Sequence, residues 1–173
     1  KIPFDLGIIR NHYVGRTFIE PTQKIRQLGI KLKHNPNRKL IKNKKVILVD
    51  DSIVRGTTAL KIVEMIREAE AAEVHMRISS PPIKFPDYYG IDTPKKEELL
   101  ASNYNIEEMT KKLKLDSLKF LSIKGVYKSM GFTDRNNSSP QFTDHCFTGD
   151  YPTELRDRDE GILSSQLSLL SDN

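Results

Sequence analysis

The residues best suited to do chemistry lie together in the segment Val46–Thr58, which reads VILVDDSIVRGTT. Asp50 and Asp51 are adjacent carboxylates directly after an apolar run. Such a pair can accept hydrogen bonds from neighbouring sugar hydroxyls, hold a hydrated Mg²⁺, or both. The small residues Gly56–Thr58 then lead into a predicted helix, where backbone N–H groups and the helix dipole favour a phosphate. The segment therefore predicts a site for a ribose held by carboxylates, with its 5′-phosphate in the loop.

A strand, a helix and a second strand must position these residues as a βαβ unit. Val46–Val49 is a continuous and mostly β-branched apolar run, which predicts a strand buried on both faces of a parallel sheet. A helix is predicted from Thr58, because apolar residues recur there at helical spacing with charged residues on the other face. Alternating apolar and polar residues over Val74–Ile78 predict the next strand. The predicted fold class is α/β, and such folds bind ligands at the carboxyl ends of their strands.

Shorter signals organise the rest of the chain. They predict a strand or strand end at 4–9, a loop at 10–23, a turn at 35–37 within the basic stretch 24–45, an irregular stretch at 83–94, short helices at 95–101 and 106–113, a strand at 120–123, a loop at 133–150 and a weakly ordered polar tail after it.

Composition limits the class of protein. The chain has 173 residues, of which 37% are hydrophobic and 29% charged, and this suits one globular domain with a real core. No apolar run approaches the roughly 18 residues of a membrane span, and no secretory signal opens the chain, so we expect a cytoplasmic protein with no membrane partner. The single cysteine, Cys146, excludes an internal disulfide framework. Because Lys1 is not an initiator Met, we expect the chain to belong to a longer protein.

Charge is distributed unevenly along the chain. Residues 1–45 contain 12 Lys and Arg against two acids, whereas the remaining residues contain 16 against 21. A basic first third predicts an anionic partner, which could be a small phosphate-rich molecule or nucleic acid. The stretch 24–45 shows no helical face, no interleaved aromatic residues and no known motif. We therefore interpret it as a solvated surface near a phosphate site and predict no nucleic-acid partner.

The Asp pair admits three other interpretations. An acid pair after a strand can simply solvate a loop. A two-component receiver domain also starts with an apolar strand and an Asp pair, but it needs a phosphoacceptor Asp after a later apolar strand. Asp87 and Asp92 lie in a Pro- and Tyr-rich stretch instead. A P-loop needs a Gly-Lys-Ser/Thr sequence, which is absent, and Arg55 cannot take the place of that Lys.

Four separated stretches resemble one family. VILVDDSIVRGTT resembles the phosphoribosyl pyrophosphate (PRPP) signature of type I phosphoribosyltransferases, in which apolar residues precede two acids and a Thr- and Gly-rich loop. RNHYVGRTFIEPTQ (10–23), SSPPIKFPDYYGIDTP (79–94) and CFTGDYPTE (146–154) are similar to the amidophosphoribosyltransferases, also called glutamine PRPP amidotransferases. The resemblance covers nearly the whole chain up to Leu155.

The resemblance implies an enzyme that forms 5-phosphoribosylamine from PRPP and glutamine-derived ammonia with release of pyrophosphate, the first committed step of de novo purine biosynthesis. It also implies a type I phosphoribosyltransferase-like fold, a mostly parallel sheet flanked by helices and incomplete at the N-terminus. Residues 1–150 would be the C-terminal part of that domain, with a basic flexible loop region at 1–45 and the PRPP-binding unit at 46–78. Residues 151–173 would form the tail. The family's glutaminase domain would lie outside this chain, so we expect the chain alone to be inactive with glutamine.

The family's site residues carry over to matching positions of this chain. Asp50 and Asp51 would bind the ribose hydroxyls and the Mg²⁺ that accompanies pyrophosphate. The residues of the 5′-phosphate loop would be Ser52, Val54, Arg55, Gly56, Thr57 and Thr58. The stretch 10–23 resembles the flexible loop that closes over PRPP, and its candidate contacts are Arg10, Tyr13, Arg16 and Thr17. No protein nucleophile is expected, because electrostatic stabilisation by metal and cations should carry displacement at C1.

The chain departs from those family members that hold a [4Fe–4S] cluster. In the regions of their Cys ligands, Asp87 and Thr143 occupy two positions and only Cys146 remains, so we predict no iron–sulfur centre. His145 beside Cys146 does not predict a zinc site. Adjacent side chains do not easily face one metal, and no second partner has ligand spacing.

Further partners follow from the resemblance: purine nucleotides as feedback inhibitors, ammonia from the glutaminase domain, and other copies of the chain in a homo-oligomer. Tyr88 and Tyr89 could stack on a base in a feedback site, but tyrosines in a Pro-rich stretch more often pack against their own domain. A non-catalytic PRPP-sensing regulator with the same fold is the alternative function. The segment CFTGDYPTE favours the enzyme.

Overall fold

The computed structural model describes residues 2–10, 34–91 and 93–155. In chain order, the helices and strands of these residues are β1 (Ile8–Arg10), β2 (His34–Pro36), α1 (Arg38–Ile41), β3 (Lys45–Asp50), α2 (Thr57–Glu68), β4 (Glu73–Ile78), a 3₁₀ turn (Lys96–Glu98), α3 (Leu100–Asn103), α4 (Ile106–Lys112), β5 (Ser117–Phe120), α5 (Ile123–Ser129) and α6 (His145–Thr148).

Three parallel strands form the larger sheet, in the order β3–β4–β5. At one end of the sheet Asp50 lies opposite Ile78, which in turn lies opposite Phe120. The carboxyl ends of all three strands therefore meet at one edge, the place where α/β folds bind ligands. The predicted α/β class and the predicted βαβ unit are confirmed.

One face of this sheet carries the core. Val74, Met76 and Leu118 are almost fully buried on it, and they belong to the same apolar cluster as Val63 and Ile66 of α2. This helix forms where helical spacing of apolar residues predicted it, and its apolar stripe packs on the sheet. The alternation predicted for β4 is confirmed, since its apolar residues are buried and its polar ones half-buried.

The prediction that β3 is buried on both faces is wrong for the described residues. Val46 and Leu48 are half-buried against the core, whereas Ile47 and Val49 are 44% and 77% exposed. β3 is an edge strand of the sheet that the structure describes, and one of its faces lies open there. An apolar run shows that a strand can be buried, but it does not show how many elements cover it.

The strand predicted at 120–123 is displaced. β5 ends at Phe120, and Ile123 instead begins α5, which was not predicted. Ser122 caps this helix, because its hydroxyl accepts a hydrogen bond from the Gly125 N–H at 3.0 Å. The misplacement has a physical cause: β5 has a single almost fully buried residue, which leaves too little pattern to fix its register.

The two short helices predicted between 95 and 113 are confirmed. The first consists of the 3₁₀ turn followed by α3, and the second is α4. Asn105 and Glu108 form a reciprocal capping box at the start of α4. Such a box satisfies two backbone N–H groups that a helix start otherwise leaves without partners.

β1 and β2 form a separate antiparallel pair in which Arg10 lies opposite His34. Residues 11–33, between the two strands, lie outside the described residues. β1 overlaps the strand predicted at 4–9. The turn predicted at 35–37 lies instead largely within β2.

Ion pairs order the irregular stretch 133–150. The Asp144 carboxylate, which is almost fully buried, accepts hydrogen bonds from Arg135 Nε at 2.6 Å and from the Tyr127 hydroxyl at 2.9 Å. Arg135 also pairs with Asp150 at 2.6 Å. Burial opposes ionisation of Asp144, but these hydrogen bonds hold its pKa below the ordinary value. The stretch is a loop, as predicted, except for the short helix α6 near its end.

Tyr151 lies just beyond the predicted domain boundary and packs on the residues before it. Its ring stacks on Tyr88 with centroids 5.4 Å apart, and its hydroxyl donates to the Pro86 carbonyl at 2.9 Å. Residues 156–173 lie outside the described part of the chain, so the weakly ordered tail stays a prediction. No helix within residues 2–10, 34–91 and 93–155 has the length and apolarity to cross a membrane.

Candidate functional site

The Asp pair lies at the carboxyl edge of the sheet, as predicted. Asp50 is the last residue of β3, and Ser79 directly follows β4. The Ser79 N–H and hydroxyl both donate to the Asp50 carbonyl, at 3.0 and 3.2 Å. These two hydrogen bonds fix the start of the loop against the neighbouring strand.

The backbone that follows the carboxylates orders them. The Asp51 N–H donates to Asp50 Oδ1 at 3.0 Å, and Asp51 Oδ1 accepts hydrogen bonds from the N–H and hydroxyl of Ser52 at 2.7 and 3.3 Å. Asp50 is half-buried and Asp51 exposed, so a ligand can approach both from solvent. Mg²⁺ prefers carboxylate oxygens together with water. The two side chains therefore fit the metal that the family resemblance implies.

The residues after the Asp pair form a loop that presents the start of α2. Ile53 is only 3% exposed and anchors the loop in the core. Gly56 precedes the helix with φ of +78°, a left-handed conformation that other residues rarely adopt. Among residues 2–10, 34–91 and 93–155 no side chain caps α2, its first turn contains no acid, and Thr57 and Thr58 are exposed. Its first N–H groups and the positive end of its dipole are therefore available to an anion.

The same loop rests on the segment that joins the 3₁₀ turn to α3. The Leu100 N–H donates to the Val54 carbonyl at 2.9 Å, and a Cβ on Gly56 would come within 2.7 Å of Leu100 Cδ2. Between these two contacts, Arg55 Nε donates to Glu98 Oε2 at 2.8 Å, and this hydrogen bond lowers the pKa of Glu98. Three successive loop residues thus contact one segment.

Sequence reasoning found the loop but missed two residues that hold it. Ile53 is absent from the predicted phosphate loop, although a large apolar residue among small and polar ones is a visible signal of an anchor. Glu98 carries no such signal, because it lies 43 positions from Arg55 in the chain.

The predicted flexible loop lies almost wholly outside the described residues. Tyr13, Arg16 and Thr17 fall there, and of Arg10 only the backbone is described, at the end of β1. Their proposed contacts with PRPP stay predictions.

A second polar cluster joins the Pro-rich stretch before the 3₁₀ turn to α6. His145 Nε2 lies 2.7 Å from Asp87 Oδ2, and Asp87 Oδ1 accepts hydrogen bonds from the N–H groups of Tyr89 and Ile91, both at 2.8 Å. The ligand atoms of Asp87, His145 and Cys146 lie within 4.8 Å of one another. The expectation that His145 and Cys146 have no second partner is therefore wrong, since the fold supplies Asp87.

The cluster of Asp87, His145 and Cys146 is better explained as hydrogen bonds that join two segments of the chain than as a metal site. Both oxygens of Asp87 already accept hydrogen bonds. Burial and the charge of Asp87 raise the pKa of the Cys146 thiol, which disfavours the thiolate that binds metals. A four-iron cluster is held by several Cys thiolates, and a single thiol cannot replace them. The residues present do not fit a [4Fe–4S] cluster.

Tyr88 and Tyr89 pack against their own domain, as predicted. Besides the stacking of Tyr88 on Tyr151, the Tyr89 ring meets His145 edge-on with centroids 5.2 Å apart, and its hydroxyl lies 2.9 Å from Thr153 Oγ1.

Comparison with known proteins identifies relatives of the chain, although no family model matches it. An amidophosphoribosyltransferase of Rhizobium etli is 62% identical over 173 residues, which is 99% of this chain and 35% of that protein. The amidophosphoribosyltransferase of Bacillus subtilis is 50% identical over 154 residues, which is 89% of this chain and 32% of that protein. Over the segment that it spans, the chain is therefore similar to the amidophosphoribosyltransferases. It covers about a third of the length of these relatives.

Two solved structures agree with the fold. The glutamine PRPP amidotransferase from B. subtilis, complexed with ADP and GMP, gives a TM-score of 0.75 at 49% identity and covers 91% of this chain and 34% of that chain. A second structure, described as the allosteric regulatory enzyme of purine biosynthesis, gives a TM-score of 0.71 at 46% identity over the same shares. The type I phosphoribosyltransferase-like α/β fold that the resemblance implies is confirmed.

Proposed function

We propose that the protein containing this chain is an amidophosphoribosyltransferase, which forms 5-phosphoribosylamine and pyrophosphate from PRPP and glutamine-derived ammonia. On this proposal it catalyses the first committed step of de novo purine biosynthesis. The observation that best supports the proposal is the placement of the Asp50–Asp51 pair and an uncapped helix start on one braced loop at the sheet edge. A ribose 5-phosphate moiety needs both groups at once, the carboxylates for its hydroxyls and the helix start for its phosphate.

In the proposed reaction the nitrogen lone pair of ammonia attacks C1 of the ribose. The bond from C1 to the pyrophosphate oxygen breaks, pyrophosphate leaves with the bonding electrons, and the new amine loses a proton to solvent. Asp50 and Asp51 would hold the ribose hydroxyls, while the loop from Ser52 to Thr58 holds the 5′-phosphate. Gripping the sugar at both ends fixes C1 relative to the incoming nitrogen, which is the main contribution that binding groups make to such a displacement.

Asp50 and Asp51 are also the residues that would hold Mg²⁺. When bound, the metal supplies positive charge that stabilises the charge growing on the departing pyrophosphate. The same two carboxylates would thereby hold both the metal and the ribose.

Further partners belong to the same proposal. Ammonia would reach the site from a glutaminase domain outside this chain, and the complete protein would form a homo-oligomer. Purine nucleotides are proposed as feedback inhibitors, which the ADP and GMP in the B. subtilis structure support.

We also propose the division into residues 1–150 and 151–173, and a cytoplasmic location. A chloroplastic relative from Arabidopsis thaliana shows that location varies among relatives, so cell fractionation is the test.

Calorimetric titration of the complete protein with PRPP, with and without Mg²⁺, tests the site. We expect Mg²⁺-dependent binding that weakens by about 100-fold or more in Asp50→Asn/Asp51→Asn, since hydrogen bonds to charged groups contribute about 1.5–3 kcal/mol each. Asp134→Asn removes an exposed carboxylate elsewhere and is the matched control, expected to bind as the wild type does. Pyrophosphate release with ammonia as nucleophile then tests turnover. A PRPP dissociation constant that changes neither with Mg²⁺ nor with the double substitution contradicts the proposed site.

A further inference from the structure

We infer that Glu98 is a positioning residue for the phosphate loop, which it braces through Arg55 before any ligand binds. This inference rests on the proposed function, since it concerns the loop that would hold the 5′-phosphate of PRPP. Glu98 lies outside the PRPP signature, and no sequence pattern links Glu98 to that signature.

The geometry of the ion pair supports a bracing role. Glu98 Oε2 accepts from Arg55 Nε at 2.8 Å, and no second hydrogen bond from this guanidinium is present among residues 2–10, 34–91 and 93–155. The guanidinium is therefore fixed through Nε alone, which leaves its Nη donors to solvent or to an anion. An arginine oriented in this way loses less freedom when it meets a phosphate.

The pair is one of three contacts that dock the loop on the same segment. On one side of Arg55 the Val54 carbonyl accepts the Leu100 N–H, and on the other side Gly56 packs tightly against the Leu100 side chain. The backbone contact and the packing contact fix the loop's position. The ion pair with Glu98 lies between these two contacts and orients the Arg55 side chain.

Simple electrostatics predicts that removing Glu98 strengthens anion binding, whereas loss of a brace weakens it. Deleting a negative charge close to an anion site strengthens anion binding if charge alone matters. A brace behaves differently, because a loop that must be ordered on binding loses affinity. The sign of the effect therefore distinguishes a positioning residue from an ordinary nearby charge.

Glu97 provides a matched control for this sign. It is the adjacent residue in the 3₁₀ turn, it is exposed like Glu98, and its side chain makes no ion pair among the described residues. Glu97→Gln removes the same charge at nearly the same place without touching Arg55.

The test measures the PRPP dissociation constant of the complete protein in the presence of Mg²⁺ for the wild type, Glu98→Gln and Glu97→Gln. We expect Glu98→Gln to weaken binding by about two- to fivefold, the range typical of exposed ion pairs, and Glu97→Gln to leave it unchanged or slightly stronger. In an Arg55→Gln background, Glu98→Gln should have no further effect. Equal or tighter binding by Glu98→Gln than by Glu97→Gln overturns the inference.

Hydrogen exchange without ligand separates this inference from the proposed function. We expect faster exchange of the Leu100 amide and of the loop amides from Ser52 to Thr58 in Glu98→Gln than in Glu97→Gln. If the wild type fails to bind PRPP, the proposed function is refuted, and exchange alone then decides whether Glu98 braces the loop. Identical exchange in the two variants overturns the brace whatever the ligand.

Discussion

Replacing Gly56 by alanine tests how tightly the proposed phosphate loop is held against the rest of the fold. Gly56 has φ of +78°, and an alanine forced into this left-handed region is destabilised by about 1–2 kcal/mol. Its Cβ would also lie 2.7 Å from Leu100 Cδ2 and 3.4 Å from Leu113 Cδ2. Both leucines are almost fully buried and have little room to move, so overpacking adds about 1–3 kcal/mol. We expect a total loss of about 2–5 kcal/mol in the free energy of unfolding.

Gly131 separates the two contributions to this loss. Its φ is +89°, close to that of Gly56, but no atom of the described part of the chain lies within 4 Å of the position that a Cβ would take. Gly131→Ala should therefore show the backbone contribution alone, about 1–2 kcal/mol.

Guanidinium unfolding followed by circular dichroism measures both variants, and calorimetry with PRPP measures the consequence for the site. We expect Gly56→Ala to be less stable than Gly131→Ala by about 1–3 kcal/mol and to bind PRPP more weakly, whereas Gly131→Ala binds normally. Equal loss of stability in the two variants refutes the reasoning, because it shows that the Leu100 side chain moves aside without a cost in free energy. In that case the loop is not held by its glycine.

Two further predictions concern charges in the fold. Asp144→Asn should lower the free energy of unfolding by about 3 kcal/mol, because it removes the charge that Arg135 needs in a buried pair, and a loss below about 1 kcal/mol in denaturant titration argues against that pair. Hydrogen bonds from Lys114 and Lys61 lower the pKa of Glu64 from 4.5 to about 2. The stability from a carboxylate with a lowered pKa is fully present above pH 4.5 and is lost as the pH falls towards 2. Glu64→Gln should therefore destabilise the protein by about 1 kcal/mol at pH 7 and progressively less below pH 4.5, and denaturant titration of this variant and the wild type over that pH range measures the difference.

Local patterns in the sequence predicted the part of the fold that carries the site. β3, α2 and β4 follow one another within the stretch 45–78, and each has its own local pattern of apolar residues, so no distant contact is needed to recognise them. α5 was missed for the opposite reason. It is seven residues long and contains Gly125, which weakens a helix, so its start depends on the cap formed by Ser122.

Pairings over long distances in the chain were beyond the reach of such patterns. The pairing of Arg55 with Glu98 spans 43 positions and that of Asp87 with His145 spans 58. Neither residue type nor spacing distinguishes these acids from others nearby. The exposed face of β3 was also beyond the reach of local patterns. Burial of a face depends on what the fold places over it and not on the strand itself.

The supports of the proposed site indicate how its binding energy is used. The loop begins at Asp50, whose carbonyl is bound by Ser79, and it ends at Gly56, which packs on Leu100. Both ends are therefore fixed to elements other than β3 and α2, which the loop connects. On the proposed function, a loop fixed in this way would present its N–H groups to a phosphate without first having to be ordered, so more of the interaction energy would remain for holding the ribose in place. The tight turn at Gly56, the burial of Ile53 and the ion pair of Arg55 all serve this one requirement. For that reason a substitution such as Glu98→Gln, which leaves every carboxylate and N–H group of the PRPP signature intact, should still weaken ligand binding.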